Sequence, residues 1–219
     1  MADSRTERVR ELARSLGVRA VDDLLQVVEK EAEILAASGE LDLGPAHAAG
    51  GKVLEFSVKQ AFRSGGFQVV DGPPGEHDAL VQPPPNARWK MPVVLEIKSS
   101  KLPSPARGDL RQLDDWVFGL SGEARIRRRG TMSIDEFGPR LTRHKGVMVF
   151  NGPVGTPFNQ RAPNWLGGNE VAFAELHFLC VARLDHVLAW CGRAQGDEAQ
   201  RLQFWEAMYG TGGALAPPS

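Results

Sequence analysis

The spacing of apolar residues changes from a helical period to an alternating one near residue 66. Before that point, apolar positions recur every three or four residues, which predicts helices over about 4–16, 22–38 and 48–63. Gly65-Gly66 then ends the third helix. The residues that follow are typical of three strands, because apolar residues alternate or run together between Gly- and Pro-rich turns: FQVV (67–70), HDALV (77–81) and VVLEIKSS (93–100).

The second half of the chain alternates helical and strand patterns. It predicts a helix over 105–119, strands at GVMVFN (146–151) and ELHFLCVA (175–182), and closing helices over 184–191 and 198–209. This order predicts an α/β protein of three α/β/α layers, whose central mixed sheet is a β-meander followed by a crossover. We divide the chain into an N-terminal helical cap (1–45), a main domain (46–210) and a flexible tail (211–219).

Composition narrows the class of protein. The first residues, MADSRTERVR, are charged, and no run of about 18 apolar residues occurs, so the sequence predicts neither a secretion signal nor a membrane span. Its two cysteines form no C-x-x-C pair, which argues against a disulfide scaffold and a zinc site. We therefore expect a soluble, cytoplasmic protein without a membrane partner.

The net charge of −1 conceals an uneven distribution. Residues 81–145 hold 13 Lys and Arg against 7 Asp and Glu, whereas residues 1–80 hold 9 against 14. A localised basic surplus favours a polyanionic partner, and an unevenly charged solvated surface would give the same counts.

The strand VVLEIKSSK, residues 93–101, contains two charges that a buried strand should avoid. Alternation places Glu96 and Lys98 on one face, beside Val94. Asp78 lies on the preceding predicted strand, and it falls beside Glu96 if the two strands are neighbours. Carboxylates that close repel each other unless a cation lies between them, and oxygen ligands suit a hard divalent ion.

This arrangement resembles the PD-(D/E)xK nuclease superfamily over about residues 48–190. Asp78 matches the first acid of the motif, and Glu96-Ile97-Lys98 matches its E-x-K. Glu55 matches the acid that many members carry on the helix before the sheet. Gln112 and Trp116 resemble the Q-x-x-x-Y element of the RecB-like branch, with Trp in place of Tyr.

The resemblance implies a restriction-endonuclease-like fold and a Mg²⁺- or Mn²⁺-dependent nuclease, acting most readily on DNA, in genome defence or repair. Asp78, Glu96 and the Ile97 carbonyl would hold the metal, and Lys98 would orient the attacking water. Glu55 and Gln112 would complete the catalytic set. A homodimer and an accessory or targeting protein stay open as further partners. The residues expected to contact nucleic acid are Arg88, Trp89, Lys90, Lys101, Arg111, Arg127, Arg128 and Arg129.

Other interpretations stay open on the sequence. The same fold also serves as a non-catalytic nucleic-acid- or protein-binding module, and Glu96 with Lys98 could be an ordinary ion pair of a structural protein. Arg127–Arg129 could be a solvated loop, and Trp89 could pack under its own loop. What separates these interpretations is whether Asp78, Glu96 and Lys98 converge on one site.

Overall fold

The computed structural model describes residues 54–55, 58–100, 102–120, 144–153 and 161–218. The predicted N-terminal cap, Lys101 and the basic run Arg127–Arg129 lie outside these ranges. The described residues form a mixed α/β structure around one six-stranded sheet, as the sequence predicts for the fold class.

Eleven elements follow one another along the described chain. Helix α1 covers 54–55 and 58–64 and ends at Gly65, near the end predicted for it. The others are β1 (Val69–Asp71), β2 (Ala79–Val81), β3 (Val93–Ser99), α2 (Arg107–Leu120), β4 (Lys145–Asn151), α3 (Gly168–Leu176), β5 (Cys180–Arg183), α4 (Leu184–Ala194), α5 (Glu198–Gly210) and β6 (Gly213–Ala214).

The sheet is mixed, and its strands follow sequence order from β1 to β6. Strands β1, β2 and β3 pair antiparallel, while β3, β4, β5 and β6 pair parallel. The predicted meander followed by a crossover is therefore confirmed. Helix α2 makes the β3–β4 crossover, which parallel pairing requires.

The predicted strand over 175–182 is wrong in its first half. Helix α3 continues to Leu176, and β5 begins only at Cys180. The chain leaves the helix through Phe178, which has a positive φ of 55°, and the Leu179 amide then donates to the Ala174 carbonyl at 2.8 Å. The apolar alternation of ELHFLCVA belongs to a helix end, a turn and a strand, so its period alone misled.

The flexible tail predicted for 211–219 does not describe Gly213 and Ala214. They form β6, where the Gly213 amide donates to the Leu179 carbonyl and the Leu215 amide donates to the Val181 carbonyl, each at 2.8 Å. Gly213 has a φ of +98°, which glycine adopts without strain. Apolar periodicity cannot reveal a strand of two residues.

Both faces of the sheet are covered by apolar side chains. Leu95 and Ile97 of β3 join a cluster that includes residues of α1, α4 and α5. Val94, which precedes Leu95, faces the opposite cluster, to which α2 and α3 contribute. Strand β3 is therefore a central strand, and Glu96 and Lys98 lie on the Val94 face, towards α2.

Two expectations from composition concern thiols and membranes. Cys180 and Cys191 are free and buried, and burial raises the pKa of Cys180 to about 11, so this thiol is unreactive near neutral pH. Among the helices that the structure describes, none combines the length and apolar character needed to span a membrane.

Candidate active site at the paired ends of strands β2 and β3

The hairpin between β1 and β2 brings two aspartates to one end of the sheet. Asp71 pairs with Ala79, and the Gly72 amide donates to the Asp78 carbonyl at 3.1 Å. A Cβ atom on Gly72 would lie only 1.8 Å from the His77 carbonyl oxygen, so the turn closes only with glycine at this position. The sequence DGPPGEHD thus fixes where Asp78 leaves the turn.

Replacing Gly72 with alanine should open this turn and displace Asp78. We expect a loss of roughly 3 kcal/mol in unfolding free energy, because the clash is with backbone and no flexible side chain can yield. Gly75, in the same turn, is the matched control: it has a φ of +83° and open space around it, so Gly75→Ala should cost only roughly 1–2 kcal/mol. Urea unfolding measures both, and equal losses would contradict the close-approach argument.

Asp78 lies close enough to Glu96 at this end of the sheet for their charges to interact, although it stands one residue before β2 and not within the strand that the sequence predicts. Ala79, the first residue of β2, pairs with Leu95, and the Asp78 amide donates to the Leu95 carbonyl at 3.1 Å. The Ile97 amide donates to Asp78 Oδ2 at 2.7 Å. The Asp78 carboxylate is therefore held at the backbone between Glu96 and Lys98.

Lys98 and Glu96 form a close ion pair on β3. Lys98 Nζ lies 2.6 Å from Glu96 Oε1, while Glu96 Oε2 is buried and has no hydrogen-bond partner. Burial raises the pKa of Glu96, and Lys98 opposes this shift. Burial by itself would lower the pKa of Lys98, but the Glu96 carboxylate outweighs it and raises that pKa, so the ammonium stays charged.

Helix α1 supplies the third carboxyl group of the site. Glu55 and Asp78 share a side-chain hydrogen bond. Burial, then this hydrogen bond and the charge of Asp78, raise the pKa of Glu55 to about 7. Burial likewise raises the pKa of Asp78. The predicted acids Glu55, Asp78 and Glu96 therefore belong to one connected group.

Helix α2 borders this group through a stripe of three residues spaced by three and four, namely Asp109, Gln112 and Trp116. The charge of Asp109 acts on both Glu96 and Lys98, and the Trp116 ring packs edge-on against His77, next to Asp78, with ring centroids 6.4 Å apart. Gln112 lies between these two positions on the helix and is exposed. Within the part of the chain that the structure describes, no hydrogen bond joins Gln112 to the acids, so its predicted role stays a prediction.

Sequence reasoning missed Asp109 and Lys59. Asp109 accepts a hydrogen bond from the Ala106 amide at 3.2 Å in the first turn of α2, where an acid is usually read only as a helix cap. Lys59 lies 3.9 Å from Glu55, and its place at i+4 on the helix was the available signal.

The predicted nucleic-acid residues Arg88, Trp89 and Lys90 lie at the other end of β3. They precede Val93, about 16 Å along the strand from Lys98. Trp89 stacks on Tyr209 with ring centroids 5.5 Å apart and donates from Nε1 to Glu206 Oε2 at 2.8 Å, and the Arg88 guanidinium covers its ring at 5.2 Å. The Trp89 ring is therefore packed between α5 and Arg88. Packing within the protein is the alternative interpretation given above for this residue. Through Trp89, the loop that contains residues 88–90 packs against α5.

The remaining predicted residues add little to the described site. Arg111 is exposed on α2, beside Gln112. Lys101, Arg127, Arg128 and Arg129 lie outside the described residues. The Ile97 amide is engaged by Asp78, and Ile97 itself is buried at the base of the site.

The donor set fits a divalent cation only in part. Within the described residues, no three Asp, Glu, His or Cys side chains are grouped as metal ligands. Glu96 Oε2 is nevertheless a buried hard oxygen without a hydrogen-bond partner, and the Asp78 carboxylate lies near it, just before β2. Two carboxylates and a backbone carbonyl would be the protein's contribution, with water completing the coordination.

Comparison with protein-family models, curated proteins and solved structures gives no match. The functional interpretation therefore depends on the side chains that meet at this end of the sheet. Those side chains are three carboxyl groups and two lysines, all in a partly buried position where charge is costly to maintain.

Proposed function

We propose that this protein is a Mg²⁺-dependent nuclease of the PD-(D/E)xK type, which hydrolyses phosphodiester bonds of DNA. The observation that carries the proposal is the meeting of Asp78 and Glu96 on paired strands, with Lys98 2.6 Å from Glu96. A structural ion pair on an edge strand would not need a second carboxylate opposite it, and β3 is a central strand.

Each residue has a role that follows from its position. Asp78 and Glu96, with the Ile97 carbonyl, would hold Mg²⁺ or Mn²⁺, which supplies Lewis acidity and an activated water when bound. Lys98 lies on the same face and is partly exposed, so its ammonium can contact a phosphate oxygen and offset the negative charge that develops there. Glu55 shares a hydrogen bond with Asp78, and its pKa is raised to about 7, so it is the group best suited to exchange a proton near neutral pH.

The finer fold assignment belongs to the same proposal. Helices α1, α4 and α5 pack on one face of the sheet, and α2 and α3 pack on the other, which supports three α/β/α layers. The order of an antiparallel meander, a helical crossover and a parallel strand supports a restriction-endonuclease-like core. The N-terminal cap would be an addition to that core.

DNA is the substrate we favour because the basic surplus of the chain lies in residues 81–145, which include Glu96 and Lys98. Lys101, Arg111 and Arg127–Arg129 are cations of that region, and they are our candidates for phosphate contacts. Genome defence or repair would be the setting, with a homodimer or a targeting protein supplying selectivity. We also propose a cytoplasmic location for this nuclease.

One observation favours a second candidate, a non-catalytic binding module on the same fold. Lys98 already neutralises Glu96 at 2.6 Å, and the described acids form no group of three metal ligands. A decayed nuclease could keep such an ion pair for stability alone.

A cleavage assay separates the two candidates. The purified protein is incubated with plasmid, linear duplex and single-stranded DNA in the presence of Mg²⁺ or Mn²⁺. The nuclease proposal expects cleavage of at least one substrate, and the binding-module alternative expects retention on a gel without cleavage. No cleavage with either metal, alone or with proteins encoded beside it, would overturn the proposed function.

A further inference from the structure

Lys59 connects the candidate site to the sheet edge. Its Nζ lies 3.1 Å from Asp71 Oδ1 on β1 and 3.9 Å from Glu55 Oε1 on its own helix. Glu55 in turn shares its hydrogen bond with Asp78. One lysine therefore faces acids from α1 and β1, and it also acts electrostatically on Asp78.

The burial of Lys59 distinguishes it from a surface ion pair. Its side chain is 13% exposed, whereas that of Asp71 is 68% exposed and that of Glu55 is 30% exposed. Burial removes water from the Lys59 ammonium, and the carboxylates of Glu55 and Asp71 replace part of that hydration. Arg63 also reaches Asp71, at 3.7 Å, but it is more exposed and contacts neither Glu55 nor Asp78 in the described residues.

Once Glu55 ionises, above its raised pKa of about 7, the carboxylates of Glu55, Asp71 and Asp78 repel one another unless a cation lies among them. Glu55 is held on a helix and Asp78 at a turn, so the repulsion would act directly on the distance between the two side chains. Lys59 is the cation placed to oppose it, because Lys98 is engaged with Glu96 on the other side of Asp78.

We propose that Lys59 is a positioning residue that fixes the Glu55 carboxyl group beside Asp78 and ties α1 to β1 through Asp71. It acts through Glu55 and does not touch the DNA. Its importance for cleavage rests on the proposed function, whereas its hold on Glu55 does not.

The test is a double-mutant cycle between Lys59 and Glu55. In the full-length protein, Lys59→Met should lower kcat by about 10- to 100-fold, as a misplaced catalytic group does, with KM for DNA unchanged. Glu55→Gln should lower it as well. The double variant should be no slower than Glu55→Gln alone, because Lys59 acts through Glu55. Lys59→Arg should recover part of the activity by restoring the charge.

Arg63→Met is the matched control, since it removes a cation from the same helix and the same Asp71. It should leave kcat near that of the parent. Losses that multiply in the double variant, an equal loss in Arg63→Met, a Lys59→Arg variant as slow as Lys59→Met, or a raised KM for DNA in Lys59→Met would each overturn the positioning role.

The same cycle is run on melting temperature in metal-free buffer, which separates this inference from the proposed function. At about pH 8, above the raised pKa of Glu55, Lys59→Met should lower Tm more in the parent than in the Glu55→Gln background, where the repulsion is already relieved. A protein with that coupling and no nuclease activity would keep the Lys59 role and lose the nuclease proposal. A protein that cleaves DNA, but in which the Tm losses of the two substitutions simply add, would keep the nuclease proposal and lose the Lys59 role.

Discussion

Lys98→Ala and Glu96→Ala should each lower DNA cleavage by about 10² or more and leave the protein folded. Lys98 provides the charge that faces the phosphate, and Glu96 provides the only buried carboxylate oxygen in the described site that has no partner. Initial rates on the best substrate, with circular dichroism as the folding check, measure the effect. Binding should persist in the Lys98 variant because other cations of residues 81–145 contact the backbone.

Lys90→Ala is the matched control for Lys98→Ala. Lys90 is an exposed lysine whose Nζ donates to the Pro85 carbonyl at 2.7 Å, beyond the far end of β3. Its loss should leave the rate near that of the parent. If the Lys98 variant cleaved as fast as the Lys90 variant, Lys98 would be only a partner of Glu96. The structural interpretation then expects lower stability without loss of activity, since Lys98→Ala leaves a buried carboxylate uncompensated.

Chelation of divalent ions should abolish cleavage, and Mg²⁺ or Mn²⁺ should restore it. Ca²⁺ should support DNA binding with little cleavage, since it suits oxygen ligands but holds them in a looser geometry. The measurement is a metal titration of the cleavage rate after treatment with EDTA, with calorimetric titration of Mg²⁺ as a readout that needs no DNA. Robust cleavage in excess EDTA would contradict a metal mechanism.

The metal requirement should also depend on pH. Burial raises the pKa values of Asp78 and Glu96, so protons compete with the metal for these two ligands. Glu55, whose pKa is raised to about 7, shares a hydrogen bond with Asp78, so its titration adds to the competition. At about pH 6 the site therefore holds more protons than at about pH 8, and more Mg²⁺ should be needed for half-maximal binding. An equal requirement at both pH values would argue that Asp78 and Glu96 are not the ligands.

The sequence predicted the centre of the candidate site because that centre depends on local patterns. Alternation set the faces of β3, and Asp78 was expected beside Glu96 if the two predicted strands were neighbours. The structure confirms that β2 and β3 are neighbours, and it places Asp78 one residue before β2. The link from Glu55 to Asp78 followed from the resemblance and not from any periodicity, and their shared hydrogen bond is the structure's addition.

What the sequence could not predict depends on contacts between distant segments. The pairing of Lys59 with Asp71 needs α1 to lie against β1, and no spacing within α1 contains that information. The Trp89 side chain is apolar with one polar edge, so from the sequence it could equally stack on a nucleic-acid base or pack on a helix. Its contacts with Tyr209 and Glu206 show that it packs on a helix. Helix α3 was missed because the single apolar stretch ELHFLCVA contains the end of this helix, a turn and the start of β5.

The position of β1 gives the Lys59, Arg63 and Asp71 cluster a second consequence. Strand β1 is the first strand of the sheet, and no other described strand pairs with its outer side. A strand exposed in this way invites addition of a foreign chain, which charged side chains at its end discourage. The ion pairs that hold α1 to the sheet therefore also protect the protein from edge-to-edge aggregation.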